Sequence, residues 1–358
     1  MREAKLQKRS FEEAAGACLM IGLPGPDLDA ETGDALAALR PAGVILFRRN
    51  LVDPAQTREL LRRVASTIAR PALFAIDQDG GRVSRLAPSI GQTPSASRLA
   101  ANGDDVLREF ATATARALAA LGFNLDFAPV VDLSSADAAN GIADRAYGDD
   151  PETVARLGGV FLDALQASGV AGCLKHFPGL GPTSVDSHLE LPTVDRAVEQ
   201  LEREDMLPFR RLVSRAACVM VGHGHYPALH GERALPATCS KTIVDGWLRR
   251  RLGFAGVVVS DDLEMGAVAS RDAEGAVAVA ALEAGCDLLL YCADLGRAAR
   301  AVEAVALRAS ESPILDERVR EAGARVLRLA RAWPVRDAHD PQSFGEYARG
   351  FERFRSIV

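Results

Sequence analysis

The sequence predicts an α/β fold, a single-domain TIM (β/α)8-type barrel, on three observations. Eight short apolar runs recur along the 358 residues. They lack the polar alternation of a half-exposed strand, which suits strands covered on both faces. Helix-period segments stand between them, over a length that fits a closed barrel better than an open doubly wound sheet. No composition break marks a second domain. Residues 1–336 are therefore expected to form the barrel, and residues 337–358 a polar C-terminal tail that packs on the barrel or frays.

In chain order, the runs are Cys18 to Leu23, Gly43 to Phe47, Pro71 to Asp77, Asn124 to Val131, Ala171 to Phe177, Ala217 to His223, Ala255 to Asp261 and Cys286 to Cys292. Asp53-Pro54 supplies a cap and a first-turn proline before Leu60, Leu61, Val64 and Ile68. Asp150-Pro151 does the same before Val154, Leu157, Phe161 and Leu165, and Gly169 closes that helix. Ser240 precedes Ile243, Val244, Trp247 and Leu248, with Gly253 at the end. Ala276 to Ala284 and Ala298 to Leu307 continue the pattern, and a last amphipathic helix runs through Val319, Ala322, Val326 and Leu329.

With 48% hydrophobic and 25% charged residues, the chain can bury a large core, which rules out disorder as its main state. The 48 acidic and 42 basic residues leave a net charge of -6. Nothing in that balance draws the surface to nucleic-acid phosphates or anionic lipid, so a small neutral or mildly charged ligand is expected. The cysteines at 18, 173, 218, 239, 286 and 292 form no CxxC pair and lie mostly in apolar runs, as in a reducing compartment. Near the N-terminus, Ala14 to Pro24 is short, follows two glutamates and lacks a convincing cleavage site. No charge-free run approaches the roughly 20 residues that span a bilayer. A soluble, cytoplasmic protein is expected, a monomer or weak homodimer, with no cofactor.

The working face of such a barrel lies at the carboxyl ends of its strands. The third run ends at Asp77 and enters Gln78-Asp79-Gly80-Gly81-Arg82; the fourth ends at Asp132. The fifth carries Lys175-His176, the sixth ends at Gly222-His223 and the seventh at Ser260-Asp261-Asp262. Any one of these reads as a solvated loop start, but five consecutive strand ends place acids, imidazoles and a lysine on one rim. The connection after the fifth run takes about twenty residues, His176 to Asp195, where about 2–6 is usual, and such loops are usually functional. Within it, Asp186-Ser187-His188 sets a carboxylate and an imidazole two residues apart, on one side of an extended backbone. A carboxylate-oriented histidine is an acid/base that changes protonation near neutral pH.

The stretches DQDGGRVSRL (77 to 86), DFAPVVDL (126 to 133), RAYGDDP (145 to 151), KHFPGLGPTSVDSH (175 to 188) and GVVVSDDLEM (256 to 265) together resemble family 3 glycoside hydrolases. The nearest likeness is to the bacterial β-N-acetylhexosaminidases that recycle cell-wall fragments. With PATCSKTIVDGWLRRRLGF (236 to 254), it covers most of Met20 to Ala267. DxxGG alone would be weak; the KHFPG and DSH loop with a downstream SDD is highly specific.

The resemblance implies that Asp261 attacks the anomeric carbon, while His188, paired with Asp186, protonates the departing oxygen and then activates water. The result is a double displacement with retained configuration, in which histidine replaces the usual second carboxylic acid. A nucleophilic carboxylate must stay ionised, which a cation such as Lys175 favours. Asp261 rather than Asp262 takes this role because the family's nucleophile directly follows the serine. Strand alternation is expected to send the two side chains to opposite sides, leaving Asp262 a structural hydrogen bond. By the same resemblance Asp77, Arg85, Arg145, Lys175, His176 and His223 hold the sugar, whose hydroxyls suit carboxylate acceptors and Arg or Lys donors.

Two positions depart from the family pattern: Asp79, where glutamate is usual, and Leu180, where histidine is often found. They bear on substrate preference and loop motion rather than on bond cleavage. His223-Gly224-His225 has the spacing of a metal pair, a pattern common by chance, and no metal is expected. The resulting expectation is a retaining exo-β-N-acetylglucosaminidase acting on terminal GlcNAc of peptidoglycan-derived fragments. One alternative is a broader glucosidase or xylosidase of the same superfamily, whose acid/base usually sits in a further domain. Another is a sugar-binding homologue that no longer turns over.

Overall fold

The computed structural model describes residues 2–134, 141–181, 183, 187, 189–231, 233–269, 275–335 and 341–358. The eight expected strands are all present: Leu19–Gly22, Gly43–Leu46, Leu73–Ile76, Leu125–Asp126, Ala171–Phe177, Cys218–Val221, Val257–Asp262 and Leu288–Tyr291. All run parallel. The first pairs with both the second and the eighth, so the sheet closes on itself with no free edge.

Period-two alternation then divides the apolar side chains between two layers. Met20, Ile45, Leu73, Phe127, Cys173, Met220, Val259 and Leu290 fill the barrel interior. Leu19, Ile21, Val44, Phe74, Val219 and Leu289 point outward into the layer beneath the helices. Val326, Leu329 and Ala330 of helix Pro313–Ala332, with Trp333, pack against the interior cluster. The helix caps follow the sequence: Asp53 accepts the Gln56 N–H at 2.9 Å and Asp150 accepts the Thr153 N–H at 2.8 Å.

Two elements differ in detail from expectation. The fourth strand pairs regularly only over Leu125–Asp126, because Pro129 has no N–H to give the ladder. Beyond it, Val131 N–H returns to the Lys175 carbonyl at 2.8 Å. The helix after Ser240 spans Thr242–Arg251 as a wider π-helix, with Leu252 N–H reaching back to Trp247 O, yet it still buries Ile243, Val244 and Leu248 together.

Past the barrel, helix Pro341–Gly350 and the 3-10 segment Phe351–Ile357 lie against helix Asp104–Leu121. Phe351 and Phe354 meet Phe110 edge-to-face at 5.8 and 5.4 Å between ring centres, and all three rings are buried. No described helix is long and apolar enough to cross a membrane.

Candidate active site

A cavity of about 360 Å³ opens at the carboxyl ends of the strands, lined by Asp77, Arg85, Arg145, Lys175, His176, Asp261 and Asp262 above an apolar floor that includes Met220 and Leu290. Six of the residues expected from sequence thus share one wall system: Asp77, Arg85, Arg145, Lys175, His176 and Asp261.

Lys175 organises one side. It leaves the fifth strand with its side chain 1% exposed, and its ammonium lies 2.8 Å from Asp77 and 3.0 Å from Asp79. Arg145 lies 2.8 Å from Asp79, and Arg85 lies 3.8 Å from Asp77 while its guanidinium stands over the Phe47 ring. Burial pushes the Asp77 carboxyl up, but Lys175, Arg85 and Arg145 outweigh it and hold the group at about 2. Burial lowers Lys175, and its two carboxylate neighbours more than restore it, so it stays charged. Behind them, burial, with the Asp79 and Asp77 charges nearby, drives the Asp126 carboxyl well above its ordinary range, although one oxygen accepts the Gln78 N–H.

His176 is fixed through Asp132, whose Oδ2 accepts from the His176 ring Nδ1 at 2.7 Å and from the His176 backbone N–H at 3.0 Å. Asp132 Oδ1 accepts the Leu180 N–H at 2.9 Å, so one buried carboxylate orients the imidazole and roots the following loop. Asp132 ends the apolar DFAPVVD run, and its place at the end of that run is the signal that marks it. The two family departures also become concrete. Asp79 joins Arg145 to Lys175, and Leu180 lines the cavity as a buried apolar residue.

Further along, Tyr226 donates its hydroxyl to Gly179 O at 2.8 Å, and Pro192–Val194 exchanges backbone hydrogen bonds with His225. Ser187 reaches the cavity wall, and its carbonyl accepts the Ala267 N–H. Asp186 and His188, the expected acid/base pair flanking Ser187, lie outside the described residues.

The strand-seven acids correct one expectation: both Asp261 and Asp262 line the cavity, because the register slips by one residue between the Val259–Leu288 and Asp262–Leu290 pairs and breaks the alternation there. Asp262 does have the structural bonds expected of it. Its Oδ1 accepts from Glu264 N–H at 3.1 Å and Cys292 N–H at 3.4 Å. Burial, with Glu264 and Asp261 nearby, raises its carboxyl to about 7. His223 stands apart from the six. It is buried, and its ring nitrogens meet Thr238 Oγ1 at 2.6 Å and the Asp262 carbonyl at 2.9 Å, so it braces the end of the seventh strand.

Comparison with known proteins agrees with this architecture. Residues 12–329 match the model of the glycosyl hydrolase family 3 N-terminal domain. A beta-hexosaminidase of Idiomarina loihiensis is 37% identical over 294 residues, 80% of this chain and 87% of that protein. One from Pseudomonas aeruginosa is 36% identical over 308 residues, 85% of this chain and 91% of that protein. Among solved structures, the family 3 β-N-acetylglucosaminidase of Paenibacillus sp. FPU-7 superposes with a TM-score of 0.90 at 35% identity, covering 97% of this chain and 68% of its own. The β-N-acetylhexosaminidase of Beutenbergia cavernae superposes at 0.83 with 31% identity, covering 90% and 98%. The chain, barrel and rim alike, belongs to glycosyl hydrolase family 3.

Proposed function

We propose that this glycoside hydrolase is a retaining exo-β-N-acetylglucosaminidase that removes terminal GlcNAc from peptidoglycan-derived fragments in the cytoplasm, as a monomer or weak homodimer. The observation that carries the reading is the cavity wall. The Asp261 carboxylate shares it with the Asp77–Lys175–Arg145 charge cluster and with Ser187, the residue between Asp186 and His188. The names of the relatives support the sugar.

In the first step an Asp261 oxygen attacks the anomeric carbon. The bond to the leaving oxygen breaks, and that oxygen takes its proton from His188, which Asp186 orients. In the second step His188 removes a proton from water, the water oxygen bonds the anomeric carbon, and the ester electrons return to Asp261. Asp77, Arg85, Arg145, Lys175 and His176 hold the sugar hydroxyls. Ion pairs with one another and with Asp79, and the bond from His176 to Asp132, fix them before substrate arrives, so little reorganisation is needed at the reaction.

Asp261→Ala should abolish nitrophenol release from the aryl N-acetylglucosaminide, and His188→Ala should slow it severely. Near-normal turnover by the Asp261 variant would eliminate the assignment. Aryl glucoside and xyloside assayed beside it separate this activity from a broader β-glycosidase, which would cleave all three. Tight binding of GlcNAc-containing fragments without hydrolysis would instead mark a sugar-binding homologue.

A further inference from the structure

The Asp261 carboxylate is held by more than its own strand. Its Oδ1 accepts the backbone N–H of Asp262 at 2.9 Å. Asp262 is itself tied at both ends of its polar framework. Its carboxyl oxygen is held by the Glu264 and Cys292 N–H groups, and its carbonyl accepts from Met265 N–H at 3.1 Å and from His223 Nε2 at 2.9 Å. For His223 to donate from Nε2 as a neutral ring, Nδ1 must accept. The Thr238 hydroxyl, fully buried 2.6 Å away, is placed to donate to it.

We infer that Thr238, His223 and Asp262 form a clamp that sets the orientation of the Asp261 carboxylate and leaves Oδ2 as its attacking oxygen. The inference rests on Asp261 being the nucleophile. With one Oδ1 lone pair engaged by an N–H and no hydrogen bond to Oδ2 among the described residues, Oδ2 is the oxygen left for attack. When Oδ2 bonds the anomeric carbon, Oδ1 becomes the ester carbonyl and keeps the same donor. The three residues are positioning residues, since they act through Asp261. Their removal shifts a reacting atom. The signature is a fall in kcat at near-constant KM, since a displacement of about 1 Å costs on the order of 100-fold in rate.

The test measures how fast a 2-fluoro or 5-fluoro glycosyl trap labels the enzyme, with the labelled peptide read by mass spectrometry. His223→Leu and Asp262→Ala should slow labelling at Asp261 by about 10- to 100-fold, with KM for the aryl glycoside changed less than about 3-fold. His223→Gln, whose amide can present an N–H to the same carbonyl, and Asp262→Asn, which keeps the acceptor oxygen, should recover most of that loss. Thr238→Val is nearly isosteric and removes only the hydroxyl; it supplies the same readout should the Asp262→Ala protein fail to fold. Labelling of Asp261 at the wild-type rate in His223→Leu and Thr238→Val overturns the clamp and leaves the nucleophile standing. Label on another residue of the wild-type enzyme overturns the nucleophile assignment itself.

Discussion

Replacing Lys175 with methionine removes the cation lodged between Asp77 and Asp79, at 2.8 and 3.0 Å, in a position 1% exposed. Asp77 then retains Arg85 at 3.8 Å and Asp79 retains Arg145 at 2.8 Å, neither bridging the two acids. The drop of the Asp77 carboxyl from 3.8 to about 2 corresponds to roughly 2.5 kcal/mol, most of the opposing pull coming from Lys175. Lys175 also lies 3.0 Å from Asp79, and the expected cost is about 3–5 kcal/mol, the range for a buried pair that loses one partner. The pH dependence has a definite sign. A carboxyl held low in the folded chain contributes stability that is present above its ordinary 3.8 and is lost as pH falls through about 2. The gap between wild type and variant should therefore be widest near neutrality and narrow below about pH 4. Urea unfolding followed by far-ultraviolet circular dichroism, near neutral pH and at about pH 3.5, measures it. Adding Asp77→Asn should recover part of the loss. A cost under about 1 kcal/mol, or one equal at both pH values, would refute the reasoning.

Asp132→Asn should destabilise the protein by about 1–3 kcal/mol, because an amide in place of the carboxylate turns one N–H toward existing donors; chemical unfolding measures this. His176 loses its orientation in the same variant, so kcat/KM should fall as well. Asp262→Asn tests the opposite pH sign. A carboxyl raised to about 7 contributes stability below its ordinary value that is lost as pH rises through about 7, so the variant should gain on wild type between about pH 4 and 7 in thermal melts. A difference in Tm that is flat with pH would count against it. Gly179→Ala should cost at least about 1 kcal/mol in unfolding experiments, since φ is +113° and a Cβ would sit 2.7 Å from that of Asp205.

The barrel is legible because strands buried on both faces need no polar alternation, and because Asp53-Pro54 and Asp150-Pro151 write helix starts in local chemistry. The polar rim follows from where those strands stop. What sequence leaves out is the pairing across the barrel. Nothing near Asp79 in the chain shows that it joins Arg145 to Lys175, and Asp132 yields its role only once the fifth strand lies beside it. His223 sits at a strand end like the ligand-facing residues, yet its ring meets Thr238, 15 residues downstream. Alternation fails at Asp262 because strand seven carries one extra residue between its Val259–Leu288 and Asp262–Leu290 pairs, which the sequence does not announce. The tail from Asp337 reads as polar by composition, whereas three phenylalanines, 344, 351 and 354, decide its packing.

That aromatic tail also bears on assembly. With Phe351 and Phe354 seated against Phe110, and Arg353 paired with Glu109, this stretch of the barrel's exterior is already occupied by the chain's own residues. Two copies meeting side by side could not use it without first peeling the tail away. An interface on this flank would have to use the tail's own outer face, and a fusion partner attached at Val358 would project from it.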